Sequence, residues 1–284
     1  MPSDRLDFSA LIGETADAAR RALLVTWKWG LLCLIVAAGT GAFGDASNAF
    51  QSLMLSITNL LASCTWGYFI YRALRPGEPG DWQAGIFRLV WASLLVGLLF
   101  LIVAFISGLF VVIVSALLIA VSGYDPSMGD VGDVDGSIAA LRESGAIWIV
   151  YMLGAAFIAF LAWFAIRLIL FGAATVDRGK ILVLQTWRLT EAAFWPIAGL
   201  AVVLIGVPTG LGLWASDMAS QTIGLASDLP FLGSEASGPA QATSMTQRAL
   251  DGLFQTGFGV PAFLLGHALA SRLYVRLAND AVFE

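Results

Sequence analysis

Residues 89–121 read LVWASLLVGLLFLIVAFISGLFVVIVSALLIAV, thirty-three positions without a charged side chain. As one helix the stretch is about 50 Å long, against a hydrocarbon core of about 30 Å. How it is threaded decides the fold. One span leaves its far end to tilt or lie at the surface, whereas two spans, broken at Ser107-Gly108, would invert everything downstream. The basic residues choose between them. With one span, thirteen of the fifteen fall on one side: Arg5, Arg20, Arg21, Lys28, Arg72, Arg75, Arg88, Arg167, Arg178, Lys180, Arg188, Arg272 and Arg276. Arg142 and Arg248 fall on the other. Two spans would carry Arg167, Arg178, Lys180 and Arg188 across and dissolve the asymmetry. Because cytoplasmic flanks hold the excess of Lys and Arg, one span with a kink near Gly108 is expected. Both termini are then cytoplasmic.

Five further apolar stretches, 25–43, 53–74, 147–171, 195–214 and 253–273, are long enough to cross. In lipid every backbone polar group needs an internal partner, so runs of this length are helices. The composition agrees. Hydrophobic residues make up 58 % and charged residues 12 %, where a globular chain carries about 25 % charged. The expected fold is all-α, a polytopic transmembrane bundle of about six spans forming a single membrane domain over 1–284. Two interfacial helices are expected beside it. In 10–24, Leu11, Ile12, Ala16, Ala19 and Leu23 share a face, with acidic residues early and Arg20-Arg21 late. Near 176–190, Ile181, Leu182, Leu184 and Trp187 would insert into the leaflet. No cleavable signal peptide is expected, because four acidic residues and no apolar run occupy the first twenty positions.

The chemistry-bearing residues are few. A net charge of −5 and the lack of a basic stripe exclude nucleic acid as a partner. Cys33 and Cys64 lie in apolar stretches and read as small buried hydrophobes. The acidic run Asp130, Asp133, Asp135 is no EF-hand: setting Gly136 at position 6 places Val131 at position 1 and Arg142 at position 12. His267, the single histidine, lies in the sixth span without a second ligand near it in sequence. It is an intramembrane polar candidate whose plainest role is an interhelical hydrogen bond. Polar groups within the spans are sparse, among them Thr58, Asn59, Ser63, Thr65, Gln255 and Thr256. No nucleophile elbow, phosphate-binding loop or zinc-protease motif is present, so neither an enzyme, a metal site nor a cofactor is expected.

Arg167, Arg178, Lys180 and Arg188 form a cationic collar on the inner side, suited to the phosphates of anionic lipids. A short parallel repeat is visible, with Thr26-Trp27-Lys28 opening the first span and Thr186-Trp187-Arg188 preceding the fifth. Between Arg167 and Leu200 stand Arg167-Leu168-x-Leu170, Ala173-Ala174-x-Val176-Asp177-x-Gly179-Lys180, Thr186-Trp187-Arg188-Leu189-Thr190 and Phe194-Trp195. This stretch resembles the membrane domain of bacterial glycerophosphodiester phosphodiesterases and related stand-alone six-span proteins. The resemblance implies an architecture and a bacterial inner membrane. It does not imply phosphodiesterase activity, because the His and Glu ligands of the hydrolase domain have no counterpart in these residues. The expected function is that of a non-enzymatic membrane protein acting through phospholipids, other membrane proteins or further copies of itself, as a scaffold, assembly or envelope-maintenance factor. A transporter or channel for a lipidic or small hydrophobic solute is the alternative.

Overall fold

A computed structural model describes residues 7–43, 49–75, 81–122, 134–191, 193–223 and 244–278. The helices are α1 (Phe8–Ala42), α2 (Ala49–Leu74), α3 (Trp82–Val121), α4 (Val134–Glu143) and α5 (Ile147–Leu168). After them come α6 (Phe171–Arg178), α7 (Thr186–Glu191), α8 (Phe194–Ala201), α9 (Val207–Thr222) and α10 (Met245–Ala278). A π-helical turn, Val202–Gly206, joins α8 to α9 without a break, and the Val207 amide reaches back to the Val202 carbonyl. Among the described residues there is no strand, and six helical runs are long and apolar enough to cross a membrane. Large apolar side chains stand on the outside of these runs, with Phe105 69 % exposed. A surface of that kind belongs in lipid rather than water. The chain is an all-α, multi-pass membrane protein.

The helices outrun the apolar stretches at many of their ends. Residues 10–24 and 25–42 lie in one continuous helix, α1. Its first turn is capped by Asp7, whose carboxylate accepts the amides of Ser9 (3.0 Å) and Ala10 (3.2 Å) and the Ser9 hydroxyl (2.8 Å). These bonds, the Ala10 amide foremost, hold the Asp7 carboxyl below the usual carboxylate range. The helix α3 stays α-helical through Ser107-Gly108, and the Ser107 hydroxyl folds back onto the Val103 carbonyl at 2.6 Å. The helix expected over 176–190 is interrupted. Gly179, at φ 61°, ends α6 in the left-handed conformation, and α7 starts only at Thr186. Of the acidic loop, Asp130 and Asp133 lie outside the described residues, and 134–143 is α4.

The helices fall into two compact units, Met1–Leu94 with Arg167–Glu284, and Leu95–Ile166. In the second, Phe100 meets Phe164 with ring centroids 5.9 Å apart, and Phe157 lies against Gly108. In the first, α10 packs along α1, α2, α6 and α9. Its core gathers Ala18, Ala22, Cys33, Ala62, Trp66, Ile70, Leu264 and Ala268. Trp66 fills the middle of this core, stacked on Phe263 at 4.9 Å and donating its indole N–H to the Thr26 hydroxyl at 3.0 Å. Both cysteines are buried and free, with the Cys33 thiol on the Ala62 carbonyl.

Small residues let the backbones meet, as membrane helix pairs require. A β-carbon on Gly252 would lie 2.5 Å from the Ala37 carbonyl oxygen, and one on Gly41 would lie 2.5 Å from that of Arg248. The helices α9 and α10 approach in the same way at Gly212, where a β-carbon would sit 2.5 Å from the Phe258 carbonyl oxygen. At one end, Arg276 is tied to Glu14 at 2.8 Å.

Candidate functional site

Three cavities of the first unit follow one another along α2 and α10. Near the Ala49 end of α2, about 540 Å³ is lined by polar groups that include Ser56, Asn59, Arg248, Asp251, Gln255 and Thr256. Their side chains pair among themselves: Asn59 donates to Thr40 at 3.0 Å, Gln255 to Asp251 at 2.9 Å, and Ser220 from α9 to the same carboxylate. A middle cavity of about 380 Å³ is mainly apolar, lined by Leu89, Ile169, Phe171, Ile205, Ala262 and Phe263, with His267 and Tyr71 on its wall. Toward the Leu74 end, about 480 Å³ is lined by Arg72, Arg75, Arg88 and Arg178 against Asp81 and Asp177. Ser63 belongs to the first two cavities and Tyr71 to the last two.

Local sequence explains the basic cavity. Arg72 and Arg75 are three residues apart at the end of α2 and so lie on one side. Arg88 stands less than two turns into α3, and its guanidinium reaches the neighbourhood of Gly179. Arg178 ends α6, because the helix stops at Gly179. Arg75 pairs with Asp177 at 2.9 Å and lies over the Tyr274 ring at 5.4 Å, while the Arg178 Nε–H donates to the Tyr274 hydroxyl at 3.2 Å. Four guanidiniums against two carboxylates leave the lining of the cavity cationic, a chemistry suited to an oxyanion.

The four residues of the collar do not share this site. Only Arg178 lines it. Arg167 covers the rings of Trp187 and Phe194, at 5.6 and 5.3 Å, and its carbonyl accepts the Thr190 hydroxyl. Trp187 therefore lies beneath a cation. Lys180 and Arg188 are exposed and line none of the three cavities. The arginines that complete the site, Arg72, Arg75 and Arg88, are legible only as inner-side charges; their meeting depends on how α2, α3 and α6 pack.

His267 sits in the middle cavity. Its Nδ1–H donates to the Phe263 carbonyl at 2.9 Å, its ring faces Tyr71 at 5.0 Å, and Gly67 leaves the room it occupies on α2. The hydroxyls of Thr58 and Thr65 bond to their own helix, at Met54 and Leu61. Among the described residues, no three His, Cys, Asp or Glu side chains gather into a group that could hold a metal ion. No protein-family model matches the chain, and neither a curated protein nor a solved structure matches it.

Proposed function

We propose that this is a non-enzymatic protein of a bacterial inner membrane, with both termini cytoplasmic. It acts through anionic phospholipids and, with protein partners or further copies of itself, serves as a scaffold, assembly or envelope-maintenance factor. The observation that carries the reading is the basic cavity where α2, α3 and α6 meet. Four arginines at the ends of apolar helices are chemically suited to lipid phosphates. The substitutions Arg72→Gln and Arg88→Gln leave the Arg75–Asp177 and Arg178–Tyr274 contacts in place. Each basic residue near an anionic surface contributes about 1 kcal/mol, so the double variant should retain anionic lipid about 30-fold less well. Native mass spectrometry of protein purified in mild detergent reads this directly, and equal retention by the double variant rejects the reading.

The thirteen-to-two split of basic residues supports the orientation. Cysteines introduced at Ser127 and Ser237, in the segments joining spans three to four and five to six, should label from the periplasm in intact cells. The native cysteines are buried and leave the signal clean. Labelling only after lysis would overturn the topology. A second reading, a transporter of a lipidic solute, is favoured by the succession of three cavities sharing Ser63 and Tyr71. It requires movement of labelled anionic lipid between the leaflets of proteoliposomes, which a scaffold does not.

A further inference from the structure

We infer that the basic and middle cavities form one site for a single amphiphile, a phosphate-headed lipid whose acyl chain enters the bundle instead of staying in the bilayer. This rests on the lipid reading above and extends it from a headgroup on a basic surface to a whole molecule taken in. Each cavity lies in the size range of ligand pockets, and their chemistries differ as head and tail do. One is lined by four guanidiniums, the other mainly by aliphatic and aromatic side chains.

Tyr71 is the wall they share. It is buried, and its hydroxyl sits over Gly172, where a β-carbon would come within 2.6 Å. Any side chain at residue 172 would displace this hydroxyl. A phosphate among Arg72, Arg88 and Arg178 brings the ester linkage of the same lipid to the Tyr71 hydroxyl, a donor for an ester carbonyl. The chain then continues past Phe263 and Ile205. The chain gains no hydrophobic free energy by leaving the bilayer for the cavity, since both are apolar; the head supplies the affinity and the cavity's shape selects the tail.

The test uses the full-length protein in nanodiscs and two photoactivatable lipids of the same chain, each with a diazirine near the chain end. One is a phosphatidic acid and the other carries a zwitterionic choline head. After irradiation, adducts are mapped by peptide mass spectrometry, with glycerol 3-phosphate as a chainless competitor. Phosphatidic acid should label Phe263, Ile205 and their neighbours in the middle cavity. The choline lipid should label the outer faces of the helices, and glycerol 3-phosphate should compete weakly. In the Arg72→Gln/Arg88→Gln protein the cavity adducts should fall about tenfold or more.

Filling the cavity separates the two ideas. A β-carbon on Gly266 meets only Ile205, at 3.5 Å, so Gly266→Leu should exclude the chain. Ser93→Leu does the same from α3 should the first variant not fold. Either should remove the cavity adducts and leave arginine-dependent retention of phosphatidic acid in place. Adducts confined to the outer faces, with that retention intact, overturn the two-part site and leave the headgroup reading standing. Cavity adducts of equal yield from both lipids, or full displacement by glycerol 3-phosphate, also overturn it. Retention indifferent to the arginines overturns both readings.

Discussion

Replacing Trp66 with alanine is expected to cost about 3 kcal/mol of folding free energy, the lower end of the range for removing a large aromatic from a water-soluble core. The lower end applies because a bilayer removes most of the gain from leaving water, so that the loss is mainly the void and its missing contacts. Trp66 is 3 % exposed and packs on Phe263. It also fills the space over Gly30, where a β-carbon would meet the indole at 2.8 Å. The hydrogen bond to Thr26 is the smaller part. Pairs of this kind average about 0.6 kcal/mol within membranes, and the Thr26 hydroxyl, freed of its partner, keeps its own bond to the Ala22 carbonyl at 2.7 Å. Reversible unfolding in mixed micelles should therefore rank Trp66→Ala far below Trp66→Phe, with Thr26→Val close to the parent protein. A Thr26→Val loss equal to that of Trp66→Ala would show that the hydrogen bond, and not packing, dominates this core.

Gly252→Ala should cost about 1–3 kcal/mol, as overpacking does. The usual small gain from replacing a helical glycine is overridden by a collision with backbone. The new methyl would meet the Ala37 carbonyl oxygen at 2.5 Å, and a carbonyl inside a helix cannot turn aside as a side-chain end can. Gly41→Ala meets the Arg248 carbonyl in the same way, and because both changes push the same two helices apart, the double variant should lose less than the two single losses together. Gly39, two residues from Gly41, has nothing within 4 Å of its β-carbon position. The same change there should be neutral or slightly stabilising. The midpoints of the four proteins in one unfolding series check this, and equal behaviour of Gly39→Ala and Gly252→Ala would deny the close crossing of α1 and α10.

The spans were legible because lipid demands long uncharged runs, and 89–121 has one. Their ends were less so, since polarity was read as departure from the membrane. Residues 215–222 and 245–251 read as loop, yet they continue α9 and α10. Their polar groups find partners in the bundle, Ser220 across to Asp251 on α10 and Gln221 one turn back to Asp217 on its own helix. In the same way Glu14, one of the charges that marked 10–24 as a separate helix, finds its partner in Arg276 near the far end of the chain. Pairings between distant positions leave no mark in a local pattern. The break after α6 was different: Gly179 stands in the sequence as a stop signal, but the apolar spacing of Ile181, Leu182 and Leu184 outweighed it. Of the basic cavity, each charge was visible singly, and the place where they meet was not.

The π-helical turn between α8 and α9 sets the phase of everything after it. A regular helix leaving the buried Leu204 returns to the same face seven residues later, after about 700°. That position is Leu211, which is 62 % exposed, while Gly212 is buried in its stead. One additional residue in the turn has rotated the downstream helix by about 100°. Wound as a regular helix throughout, the same sequence would turn Leu211 toward the Phe258 carbonyl, where there is no room for even a β-carbon. The winding of the backbone, as much as the residue types along it, thus decides which side chain meets the neighbouring helix.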